Sequence, residues 1–173
     1  MGITIHFEGR LAGEVAFHNL INTAKEFART RGWGIESVEL EEVALQRVRG
    51  EKDWDYTGPI RGVVLYPHID CEPVRLEFDR DFYVQSFTKT QFAGVQTHLD
   101  VVQLLRAIKP LFQNLNVEDE GEYWNKWDTR ALGEHMAQCR KAIEEVFKDK
   151  LQTNPDARMN VKLPSGRIVD IIG

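Results

Sequence analysis

The sequence predicts an α+β domain: a mostly antiparallel sheet with about three helices packed mainly on one face. Three observations carry this. Several short runs alternate apolar and polar residues, the period of a half-buried strand. The links between most of these runs are short turns, and parallel strands would need longer crossovers. Three other stretches repeat apolar residues at helical spacing.

Residues 3–8 open the chain as a strand, with Ile3, Ile5 and Phe7 on one side and Thr4, His6 and Glu8 on the other. Val15, Ala16, Leu20, Ala24, Phe27 and Ala28 then form a helical stripe, and Gly32 after Arg31 is a stop signal. Residues 33–48 read as strand, and the change of phase at Glu41-Glu42 marks a bulge or break. "GEKDWDYTGP" (50–59) reads as a polar loop, followed by an apolar strand over 60–67. Val74, Leu76 and Phe78 alternate with Arg75 and Glu77; "DRD" (79–81) is a tight turn, and 82–87 returns as strand. Gly94, His98, Val101, Leu105, Ile108 and Phe112 share one face of a second helix, with Pro110 near its end, and 115–119 fits one more strand. Asp128 is placed to N-cap a third helix with the stripe Leu132, Met136, Cys139, Ile143, Val146 and Phe147. Residues 1–151 form the core domain. Residues 152–160 are a linker, and 161–172 hold a turn at Pro164-Ser165-Gly166 and a last strand, so that 152–173 completes the same domain.

A chain of 173 residues, 42% hydrophobic and 28% charged, can bury a core of its own. The net charge of −5 and the pI near 5.6 come without any block of Lys and Arg, which argues against nucleic acid or an anionic membrane as partner. The first residues alternate and so lack the basic and apolar regions of a signal peptide, and His6 stands where a myristoylation signal wants Ser or Thr. Cys71 and Cys139 lie far apart in dissimilar contexts and read as reduced thiols, so a cytoplasmic location is expected.

Four places hold residues suited to chemistry. The first is "VEDEGEYW" (117–124), where Glu118, Glu120 and Glu122 would project to one side of an extended segment and Asp119 to the other. Carboxylates suit hard cations, but a calcium-loop spacing is absent. The alternative is a polar turn entering the third helix, with Tyr123 and Trp124 folded onto the core. In "YPHIDCEP" (66–73), His68, Asp70 and Glu72 alternate and are compatible with zinc, iron or manganese; the structural alternative is a loop whose polar groups satisfy its own backbone. Third, Lys89 in "FTKTQFAG" (87–94) stands near a helix N-terminus and could attract an anion, but pairing with Glu120 or Glu122 is the preferred expectation. Last, His98 on the apolar helix stripe reads as a core histidine with one hydrogen-bonded nitrogen; to act as a base it would need a carboxylate such as Asp119 or Glu120. No cofactor is expected.

"KTQFAGVQTHLDVVQLLRAIK" followed by "VEDEGEYW", with "HIDCEP" upstream, resembles an uncharacterised bacterial protein family over residues 60–127. The resemblance lends no reaction or substrate. It implies that Lys89, Thr90, Gln91, His98, Asp119, Glu120, Tyr123 and Trp124 are linked positions, and Glu122 belongs to the same candidate cluster.

The function expected from these readings is a small non-catalytic binding or protein-interaction domain. Its docking surface would be an uncovered sheet face with the loop aromatics Trp54, Tyr56, Trp124 and Trp127. One alternative is a metal-dependent hydrolase using His68, Asp70, Glu72, His98, Glu120 and Glu122. Another is a homodimer subunit whose C-terminal strand pairs across chains. A concave pocket where the acidic block meets a histidine would favour the enzyme, an exposed apolar patch the binding domain.

Overall fold

A computed structural model describes residues 3–49, 52–153, 159–162 and 168–172, with side chains described for 3–45 and 56–145. The linker residues 154–158, the 164–166 turn and the side chains of Trp54, Val146, Phe147 and the last strand lie outside these.

The chain is α+β, in the order β1 (Thr4–Leu11), α1 (Glu14–Thr30), β2 (Gly34–Arg49), β3 (Lys52–Tyr66), β4 (Val74–Phe78), β5 (Tyr83–Lys89), α2 (Val95–Ile108), a 3-10 turn (Lys109–Leu111), β6 (Phe112–Asp119), α3 (Tyr123–Lys126), α4 (Thr129–Thr153), β7 (Met159–Lys162) and β8 (Ile168–Ile172). The antiparallel strands form two three-stranded sheets, β5-β1-β6 and the meander β2-β3-β4. One continuous sheet was the expectation. The split falls at the Asp79–Phe82 turn, where β4 leaves one sheet and β5 enters the other. Asp79 organises this turn: its Oδ1 accepts from the Asp81 amide at 2.8 Å and from the Tyr83 amide at 2.9 Å.

The "polar loop" 50–59 is corrected in part, because β3 already runs from Lys52 and pairs with β2 as a long hairpin. Charged residues on both strands had hidden it; strand pairing needs only backbone groups once a register is set. The change of phase at Glu41-Glu42 is real, since the β2–β3 register shifts between Leu40 and Val43. Among the described residues, strands β7 and β8 pair with each other as a separate two-stranded sheet and with neither larger sheet.

One core joins the layers. Ile3, Ile5, Phe7 and Leu11 of the first strand region meet Val63, Leu65, Val74, Leu76 and Phe78 of the second sheet, under α1 and α2. On α1 the buried stripe is Phe17, Leu20, Ile21, Ala24 and Ala28; Val15, expected inside, is 76% exposed. Gly32 ends the helix with φ +69°, and the Trp33 amide closes back on the Ala28 carbonyl at 2.9 Å. Leu132 and Met136 bring α4 onto the same core.

Asp128 does cap α4: its Oδ1 accepts from the amides of Arg130 at 2.9 Å and Ala131 at 3.0 Å. Asp128→Ala is expected to lower stability by about 1 kcal/mol in urea unfolding, the usual size of a lost N-cap. Among the described residues, no helix is long and apolar enough to cross a membrane.

Candidate functional site

Three elements converge on His98. Pairing of β1 with β6 sets Asp119 opposite Ile5, so its side chain points inward at the end of β6. Thr90 follows β5 and is held by its amide to the Ile3 carbonyl at 3.0 Å. His98 lies in the first turn of α2, facing both. Its Nδ1 is 2.8 Å from Thr90 Oγ1, and its Nε2 is 3.1 and 3.2 Å from the two Asp119 oxygens. The Asp119 carboxylate accepts from the Nε2–H, and Nδ1 shares a hydrogen bond with the Thr90 hydroxyl. The core reading of His98 holds, but both nitrogens are engaged.

Asp119 does more than orient the ring. Its Oδ1 accepts from the Gly121 amide at 2.7 Å and its Oδ2 from the Trp124 amide at 2.8 Å. Burial pushes the carboxyl upward, yet the His98 hydrogen bond and charge, with the Trp124 and Gly121 amides, outweigh it and hold Asp119 below its ordinary value. Gly121 is small for a local reason: a Cβ there would stand 2.6 Å from Leu132 Cδ1 and 3.0 Å from His98 Cε1.

A hydroxyl, an imidazole and a carboxylate in series can activate a nucleophile. Here Thr90 and His98 are both 0% exposed, so a substrate has no approach to the hydroxyl. The series works as an internal clamp. It ties the strand ends to α2 and folds Tyr123 and Trp124 against the core, as the structural reading of "VEDEGEYW" expected.

The other carboxylates of the block face outward. Glu120 extends the β1–β6 ladder, its Oε2 accepting from the Thr4 amide at 2.8 Å, and its Oε1 lies 3.8 Å from His6 Nε2. Glu122 has a left-handed backbone, φ +62°, and binds Lys126 Nζ at 2.6 Å. That ammonium's hydrogen bond holds the Glu122 carboxyl below its ordinary value.

Lys89 must be corrected. It is half-buried, and among the described residues no carboxylate lies within 4.0 Å of its ammonium. Glu120 and Glu122 are taken by nearer partners in the sequence and across the ladder. An acid does reach Lys89, but through the main chain: the Lys89 amide donates to Glu72 Oε2 at 3.0 Å. Gln91 is buried, and neither its Oε1 nor its Nε2 meets a protein hydrogen-bond partner among the described residues.

The His68, Asp70 and Glu72 set does not converge as ligands. His68 Nδ1 accepts from the Asp70 amide at 3.0 Å, and Glu72 turns away to β5. His98 is fully buried and engaged by Thr90 and Asp119. Among the described residues, no group of three or more His, Cys, Asp or Glu is arranged to hold a metal ion. Cys71, within this loop, is buried, and burial pushes its thiol up to about 12.

A groove of about 590 Å³ lies between the end of β6 and α4, lined by Ile3, Glu120, Glu122, His135, Gln138, Cys139 and Ala142. His135 Nε2 stands 4.0 Å from Glu122 Oε2. Sequence reasoning passed over His135; its place one residue before Met136 on the α4 stripe was the available signal. Of the loop aromatics, Tyr56 is buried in β3, Trp124 is half-buried, and Trp127 is 60% exposed. No family model matches the chain, and no curated protein or solved structure matches it, so the chemistry of this site rests on its own residues.

Proposed function

We propose that the chain is a small binding domain without catalysis, and that the β6–α4 groove receives its ligand. The observation that supports this is the make-up of the groove, which combines the acidic Glu120 and Glu122 with the apolar Ile3, Cys139 and Ala142. A ligand that fits has a cationic end on an apolar stem. Lysine and arginine side chains of a partner protein have this form.

A peptide of alternating leucine and lysine is a suitable probe. It is expected to shift the NMR signals of His135, Gln138 and Ala142 before others. Gln138 is exposed at the groove, so Gln138→Lys should leave the fold intact and weaken peptide binding by repulsion. Shifts confined to other surfaces, or affinity unchanged in Gln138→Lys, would contradict the reading.

The acidic block and His135 do meet in a concave surface, which favours a hydrolytic role as the second reading. Against it, Glu120 and Glu122 already hold the Thr4 amide and Lys126. Neither is poised as a free general base.

A further inference from the structure

A second surface, at the junction of α2 and α3, brings two cations against two indoles. The Arg106 guanidinium lies 3.4 Å from the centre of the Trp127 ring and 4.6 Å from that of Trp124. Lys109, one turn further along the chain, has its ammonium 5.4 Å from the Trp124 ring. Among the described residues neither cation has a carboxylate within 4.0 Å. Asp100, the acid nearest to Arg106 in sequence, pairs with Arg31, and Asp128, next to Trp127, is occupied in capping α4.

The Arg106 environment is unusual for a charge. Nη2 donates to the Trp124 carbonyl, and Nε is enclosed without a hydrogen-bond partner, which leaves Nη1 for a further acceptor. Burial pushes the guanidinium below its ordinary value, and no carboxylate opposes that push. Beside it, Trp127 is 60% exposed on a left-handed backbone, φ +56°. Arg106 stacks on one face of this indole and the Tyr123 ring packs edge-on with its centroid 5.9 Å away; the part left exposed is a platform for a flat ring.

We propose that this junction binds a small phosphorylated ligand with a flat ring, of the nucleoside monophosphate kind. The charge count selects phosphate: two cations one helical turn apart match a dianion, whereas a single carboxylate would leave one uncompensated. The ring stacks on Trp127 while the phosphate meets Lys109 and Arg106. Such a ligand needs two cations and one indole, not the basic face that a duplex would need, so the acidic net charge is no obstacle. The site is separate from the β6–α4 groove and does not depend on the function assigned to that groove.

The test uses the full chain titrated with AMP and with UMP, following the indole N–H signals by NMR. The Trp124 and Trp127 signals are expected to move, and the response should weaken as salt is added. Lys109→Met is expected to weaken binding about tenfold, the size of a lost hydrogen bond to a charged group. Trp127→Ala should weaken it by about tenfold as well, as removal of a stacking platform does. Both residues are exposed, so thermal unfolding should show both variants folded like the parent. If neither nucleotide moved these two signals, or if Lys109→Met bound with the parent's affinity, the proposal would be overturned.

Discussion

Asp119→Ala is expected to destabilise the fold by about 3–5 kcal/mol, the cost of removing one partner from a buried charged pair. The change strands His98 Nε2 and two amides, Gly121 and Trp124, at a place where no side-chain atom of the pair reaches solvent. Total stabilities run about 5–15 kcal/mol, so the variant should be largely unfolded well before the parent in urea. The pH dependence has a definite sign. A carboxyl held below its ordinary value contributes stability that is present above the unfolded-state value and lost as pH falls through the folded one. The difference between parent and Asp119→Asn should therefore narrow in acid below the ordinary carboxylate range. A loss under about 1 kcal/mol for Asp119→Ala, the size of a surface pair, would show that the clamp carries little of the fold.

Gly121→Val is expected to cost stability by overpacking, at or above the upper end of the usual range of about 1–3 kcal/mol. Even the first added carbon meets Leu132 Cδ1 at 2.6 Å, His98 Cε1 at 3.0 Å and Asp119 Oδ1 at 3.1 Å. Leu132 is fully buried and has nowhere to withdraw, so the ring or the carboxylate must move. Thermal unfolding would measure this, and the indole signal of Trp124 would report displacement of the turn. A variant with the parent's stability would mean that Leu132 repacks freely.

Elements with strong periodicity were legible in the sequence. Ile3, Ile5 and Phe7 face inward as their alternation requires, and the Gly32 stop and the Asp128 cap stand where their chemistry demands. The β2–β3 hairpin beyond the bulge was harder to read, because Glu41, Glu42, Asp53 and Asp55 break the apolar alternation while backbone pairing continues. The division into two sheets was not legible either, since a turn such as 79–82 looks the same whether its strands share a sheet or not. At the site, the inward position of Asp119 was foreseeable from β6 alternation, as was the burial of His98. Their meeting with Thr90 depends on the register of β1 between β5 and β6, a long-range fact that local spacing does not contain. Lys89 failed as an ion-pair partner for the same reason: opposite charges in nearby segments do not pair when each carboxylate has a closer group.

The most direct measurement is hydrogen exchange at the amides of Gly121 and Trp124. If Asp119 clamps the acidic block to His98 from within, these two amides exchange only when the whole domain opens, in step with core amides of β1 such as Phe7. The protection should vanish in Asp119→Ala, which removes both acceptor oxygens, while that of Phe7 is lowered only with global stability. Exchange of Gly121 and Trp124 at the rate of an open surface loop in the parent protein would contradict the internal clamp.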